Sequence, residues 1–283
     1  MESSSEAQQQ REPRHTEHVR DMGAPGGLFR RCMDEIQVQH TLGQRLRSIV
    51  LAAGLMTDAL CYAELLAQFY VATAALEDAM DRLMLRHSKD ENDDNDDGAR
   101  LVRAVHALGY RLKPLYEADL VHLFGIPAND ATVLAACVHK ITSVPAAAYA
   151  ARLHDANARE LVAAAFILLG PLVIGGGAAL KPRVCKAFGE GATHVFSPVV
   201  GIGRAQRRDE FIKCYDELLL LLKDAEEARA AAVEIVAVCG ECMTLNNNMM
   251  MALQRRPWWS NLVWVGLAAA GAAVAYRLLL YKK

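Results

Sequence analysis

Three groups of residues in this sequence have types and spacings that can do chemistry. The first is His40, followed one helical turn later by Gly43 and Gln44 and preceded by Ile36. A metal-bound imidazole needs space on its ligating side and a hydrogen-bonding partner for its second nitrogen. Gly43 would leave the space and Gln44 would supply the partner; a histidine that merely packs on a helix is the plainer alternative. The second is Phe166–Lys181, FILLGPLVIGGGAALK, an apolar helical stretch interrupted by Gly170, Pro171, Gly175, Gly176 and Gly177. A glycine inside a helix costs about 1 kcal/mol relative to alanine, and proline costs more. Either the glycines bare the backbone to something flat, or they mark a kink against a neighbouring helix. The third is Cys239-Gly-Glu-Cys242, a lone CxxC. Zinc sites usually draw on a second pair, and the sequence has no further CxxC and no HxxxH. This spacing predicts a helix with one thiol buried.

Other candidates are weaker. Ser88–Gly98, SKDENDDNDDG, lacks the fixed ligand spacing and closing glutamate of a calcium loop, and reads as a self-repelling disordered loop. His15 and His18 lie in a polar leader, residues 1–28, that has no scaffold to hold them. The chain has 283 residues, 53% of them hydrophobic, a formal net charge of -2 and seven cysteines. That is enough for a sizeable core, and the charge argues against a general nucleic-acid binder. The first thirty residues lack an apolar signal run, so the thiols are expected to be reduced and cytosolic.

The elements that must position these residues are helices. Periodicity of 3.6 predicts them over about 28–53, 57–86, 100–125, 129–142, from Pro145 through the glycine stretch to Lys181-Pro182, over 209–222, and over 225–254. Residues 189–208 read as loop. No segment alternates with period two. The expectation is an all-α domain over 29–254, with the acidic loop at 88–98 inside it. An Asn246-Asn247-Asn248-Met249-Met250-Met251 tract is compositionally odd and has no explanation in the sequence.

The C-terminal stretch, 255–283, differs. Leu262–Tyr276 carries no charge, Trp258, Trp259 and Trp264 precede or open it, and Tyr276 and Tyr281 close it. A helix from Trp258 to Leu280 would span roughly 35 Å, enough to cross a bilayer core. Interfacial aromatics and the flanking Arg255-Arg256 and Lys282-Lys283 fit a C-terminal transmembrane anchor. The domain would then face the cytosol, at the endoplasmic reticulum or the outer mitochondrial membrane.

The order of several pieces resembles the heme oxygenase family. They are a histidine on the first helix, a Tyr-rich helix ending Ala75-Leu76-Glu77, Leu115-Tyr116-Glu117-Ala118-Asp119-Leu120, Tyr149-x-x-Arg152-Leu153-His154, and Leu169-Gly170 with its glycines. Phe196-x-Pro198 and Phe211-x-x-x-Tyr215 follow. The resemblance covers roughly residues 33–250. It implies an all-helical sandwich with heme between a proximal and a distal helix, His40 as axial ligand to the heme iron, and Gln44 where the family usually has Glu. It further implies cofactor contacts from Phe166, Gly170, Gly175, Gly176, Gly177 and Tyr215. The implied activity is oxidation of heme to biliverdin, CO and iron, with O2 and electrons from an NADPH-dependent reductase.

Departures from the family pattern qualify that activity. The distal aspartate, which organises proton delivery to bound oxygen, falls on Pro171 or Leu172, and neither can hold a water network. The cations near the heme propionates fall on Met33, Ile212 and Asp216, with Lys213 or Arg208 as substitutes, and the distal-helix Tyr and Arg fall on Phe166 and Leu168. Three readings therefore stand: a heme-degrading enzyme, a heme-binding sensor, buffer or carrier that does not degrade it, and a tethered helical scaffold without heme.

Overall fold

The computed structural model describes residues 23–52, 55–87, 96–127, 130–174, 177–199 and 203–254. Most of the leader, the acidic run 88–95, Gly175-Gly176 and all of 255–283 lie outside them. Ten α-helices are seen among the described residues: α1 (Leu28–Ala52), α2 (Ala59–His87), α3 (Asp97–His106), α4 (Lys113–Phe124), α5 (Ala131–Ile141), α6 (Val144–His154), α7 (Ala158–Ile174), α8 (Gly177–Phe188), α9 (Arg204–Glu217) and α10 (Ala225–Met251). No strand occurs among them.

Helix α2 is the central strut. Its apolar stripe is buried from Tyr62 to Met80, and three buried polar side chains each hold the backbone of another element. Gln68 donates to Ile141 O (2.9 Å) and accepts from Ser143 N (2.8 Å), fixing the α5–α6 turn. Glu77 accepts from Leu112 N (2.7 Å) and Lys113 N (3.0 Å), capping α4 from the side. Glu64 accepts from Gln254 N (2.9 Å) where the chain leaves α10. Hydrogen bonds to charged groups contribute about 1.5–3 kcal/mol each, and leaving such a group buried and unpaired costs more. By length and hydropathy α2 passes as a membrane span, but over half of its most apolar window is buried in the protein.

Three helices fix the geometry of the site. Arg159 at the start of α7 pairs with Glu227 and Glu234 of α10, and Cys239 Sγ further along approaches Ala163 O (3.7 Å). Contacts therefore ascend both helices together, so α7 and α10 run the same way. On α1, Cys32 meets Cys239, Glu35 meets Gly240, and Gln39 O accepts from Asn247 Nδ2 (2.8 Å). Helix α1 thus also runs with α10.

The structure departs from the sequence-based expectations in places with local causes. The helix expected over 100–125 is two, because Gly109 takes φ 72° and Pro114 opens α4. Asp96, at the end of the acidic run, accepts from Gly98 N (2.8 Å) and Ala99 N (3.1 Å) and caps α3. The helix expected at 209 begins at Arg204, behind Gly203 at φ 95°, and tightens into a 3-10 turn at Leu218–Leu221. Chain expected to be loop forms 3-10 turns at Glu190–Ala192 and His194–Val199. In the distal stretch, α7 runs to Ile174 and α8 starts at Gly177 and carries Pro182 internally, continuing to Phe188.

Candidate site between α1 and α7

Phe29 opens α1, and its ring meets Phe166 of α7 edge-on with centroids 5.5 Å apart. At about 100° per residue, His40 projects within about 20° of Phe29 and Gln44 within about 60°. His40 therefore lies on the face that begins against α7. By the same arithmetic Gly170 and Val173 share the Phe166 face. His40 is eleven residues beyond Phe29, and Gly177 is eleven beyond Phe166. At 1.5 Å per residue His40 lies about 16 Å along α1 from the ring contact. His40 is half-buried, with Nδ1 shielded from solvent.

Gly43 has a different job from the one its spacing suggests. A Cβ there would come 2.6 Å from Asn247 Oδ1 and 3.2 Å from Met243 Cε. The missing side chain admits α10, not a ligand. Asn247, fully buried, spends its amide on Gln39 O, in the turn before His40. This explains part of the asparagine tract, and it is a contributor that sequence reasoning missed. The signal was there: asparagine is unfavourable inside a helix and needs a partner to be worth burying. Gly170 likewise faces a neighbour. Its absent Cβ would sit 3.7 Å from Phe211 Cζ, an ordinary contact. Gly175 and Gly176 lie outside the described residues, and Gly177 begins α8.

Around the ring contact the interior is aromatic. Phe166, Phe211 and Tyr215 pack with centroids 4.8–6.1 Å apart. Tyr215 is completely buried and donates its hydroxyl to Val162 O (2.8 Å). Phe166 and Tyr215 are therefore floor rather than wall. Met33, Ile212 and Leu168 are buried among apolar neighbours. Asp216 accepts from Ala24 N (2.8 Å) and Phe29 N (3.2 Å), holding the start of α1. Gly27 lets that carboxylate close in. Lys213 and Arg208 do not take over as cations. Lys213 is exposed and 3.9 Å from Glu217, and Arg208 turns to Asp209 (3.0 Å). Pro171 is exposed and Leu172 half-buried, and neither carries a proton donor.

The donor set thus fits part of a heme site. An imidazole lies on the face of α1 that begins against α7, and aromatic rings join the two helices. The cations that would pair with propionates, and the carboxylate that would deliver protons, are not at their expected positions.

The CxxC lies on α10 as expected, but both thiols are buried. Burial pushes the Cys239 thiol well up, with Cys32 beside it, and pushes Cys242 up to about 11. Such thiols are protonated and inert at neutral pH. No group of three or more metal-ligating side chains occurs among the described residues. A cleft of about 240 Å³ lies at the other end of the bundle, lined by Asp97, Asn157, Arg159, Glu227 and Glu234. Its arginine is already paired with both glutamates.

No protein-family model matches the chain, and no curated protein matches it by sequence. Solved structures do. Heme oxygenase 2 from Chlamydomonas reinhardtii, determined without heme, superposes with a TM-score of 0.66 at 21% identity, covering 82% of this chain and 99% of that one. Heme oxygenase from Leptospira interrogans gives 0.58 at 18% identity, covering 79% and 98%. Heme oxygenase-2 from Synechocystis sp. PCC 6803, in complex with heme and NO, gives 0.58 at 22%, covering 80% and 85%. The class is therefore that of the heme oxygenase fold. This chain is an all-helical protein with that fold among its described residues.

Proposed function

We propose that the chain binds heme between α1 and the α7–α8 segment, with the His40 imidazole as the axial ligand. One observation supports this: the Phe29–Phe166 contact sets α1 against α7, and helical spacing puts His40 on the Phe29 face of α1, in a chain with the heme oxygenase fold. Gln44, on the same face one turn further, replaces a charged partner with a neutral one, which leaves the imidazole a weaker electron donor. When bound, heme would supply the oxygen chemistry. The chain's own part is to hold it, shield it and exclude water through the apolar floor.

Titrating the full chain in detergent with hemin tests the binding. A Soret band should develop with saturation at one equivalent, and His40→Ala should lose the histidine-ligated spectrum. An unchanged spectrum in that variant removes His40 as ligand.

The fold favours a second step, oxidation of heme to biliverdin, CO and iron with O2 and a reductase. Pro171 and Leu172 supply no carboxylate to organise proton delivery, so turnover is expected to be slow. Lacking that step, the same site would serve a heme sensor, buffer or carrier; lacking heme altogether, the fold is a scaffold. The expected anchor in 255–283 would hold the domain on the cytosolic side of the endoplasmic reticulum or the outer mitochondrial membrane.

A further inference from the structure

The chain leaves the domain at the end of the bundle that carries His40. Gln254, the last described residue, is held by its backbone N–H on Glu64, a buried carboxylate of α2 (2.9 Å). Exposed apolar side chains surround that exit. Leu60, one turn before Glu64, is 43% exposed, and Met251, one turn before Gln254, is 57% exposed. Val144, 83% exposed, stands beside Ser143 on the turn that Gln68 fixes one helical turn beyond Glu64. Isolated exposed hydrophobics are ordinary; a set gathered at a chain exit is informative.

What lies beyond the exit names the occupant. Arg255, Arg256 and Pro257 are all that separate Gln254 from Trp258, where the expected membrane segment begins. Four residue steps reach at most about 14 Å even when fully extended. A domain pinned at Gln254 therefore has no slack to swing away from the headgroups. The two arginines add attraction to anionic lipid at the same point.

We infer that this end of the bundle rests on the lipid surface, with Leu60, Val144 and Met251 in contact with lipid. The inference rests on the reading of 255–283 as an anchor, but it is separate from it. His40 lies level with Asn247, seven residues or about 10 Å short of Gln254, so the proposed heme site sits close behind the docked surface.

The test uses the full chain in phosphatidylcholine vesicles containing one-fifth phosphatidylserine. A photo-crosslinking amino acid, p-benzoylphenylalanine, is placed singly at Leu60, Val144, Met251 or Leu220. Leu220 is 79% exposed, on the 3-10 turn preceding α10 at the opposite end, and serves as the control. Lipid adducts at the first three positions should exceed those at Leu220 at least five-fold. A long Gly-Ser insert between Gln254 and Arg255 should reduce them to the Leu220 level while the protein still floats with the vesicles. Flotation with adducts equal at all four sites overturns the docking and leaves the anchor. Failure to float overturns both.

Discussion

At the residue scale, the site depends on small groups that let helices approach. Gly43→Ala would drive a methyl into Asn247 Oδ1 and Met243. Overpacking of this kind costs about 1–3 kcal/mol. The variant should lose that much stability in urea unfolding, with its hemin spectrum broadened because the turn before His40 is displaced. Asp119 makes a second prediction. It is buried and accepts from His194 N (2.7 Å), His194 Nδ1 (2.8 Å) and Val195 N (3.0 Å). Desolvation by burial outweighs these bonds and raises its pKa. A carboxyl whose folded pKa is raised contributes stability that is present below its unfolded pKa and lost as pH rises through the folded one. Asp119→Asn has one carbonyl where two backbone N–H groups need acceptors, so it should be less stable by about 1–3 kcal/mol. The deficit should be largest at acid pH, below the unfolded carboxyl pKa, and shrink as pH rises, read from unfolding curves across that range. The helix that carries His40 was legible, because its apolar spacing is visible in the sequence. The role of Gly43 was not, because its partner lies on a helix two hundred residues away.

At the element scale, α7 is the unusual helix. It buries nearly every side chain from Leu161 to Gly170 and then meets Pro171, which removes one hydrogen bond from its last turn. Pro171→Asp restores that N–H and supplies a carboxylate at the position where the resemblance expects one. With hemin, O2 and a reductase, this variant should form biliverdin several-fold faster than the natural chain. An equal rate would place the limiting step elsewhere. The buried face of α7 was plain in the sequence, since a run of Leu, Val, Ala and Ile admits no solvated side. Helix continues past Lys181-Pro182 to Phe188, so the expected stop there does not occur. Pro182 is the sixth residue of α8, inside the helix, where it removes one backbone hydrogen bond without ending it. The elements 97–124 were merged for the opposite reason: Gly109 reads as a tolerable helix residue until its positive φ is seen.

At the scale of the whole molecule, the chain reads as one helical body tied together by buried polar side chains on α2. Glu64, Gln68 and Glu77 were not legible as ties, because a polar residue in an amphipathic stripe looks solvated until its partner is known. Hemin binding should raise the unfolding midpoint of the full chain in proportion to the logarithm of free hemin, and this shift should vanish in His40→Ala. The Phe29–Phe166 ring pair has one last consequence. Two stiff aromatic rings pin α1 to α7 there, so heme bound where we propose it would meet a boundary already set by packing. A boundary built in advance spends little on rearrangement, and hemin association should then proceed at a rate set by diffusion and access rather than by a slow breathing of the bundle.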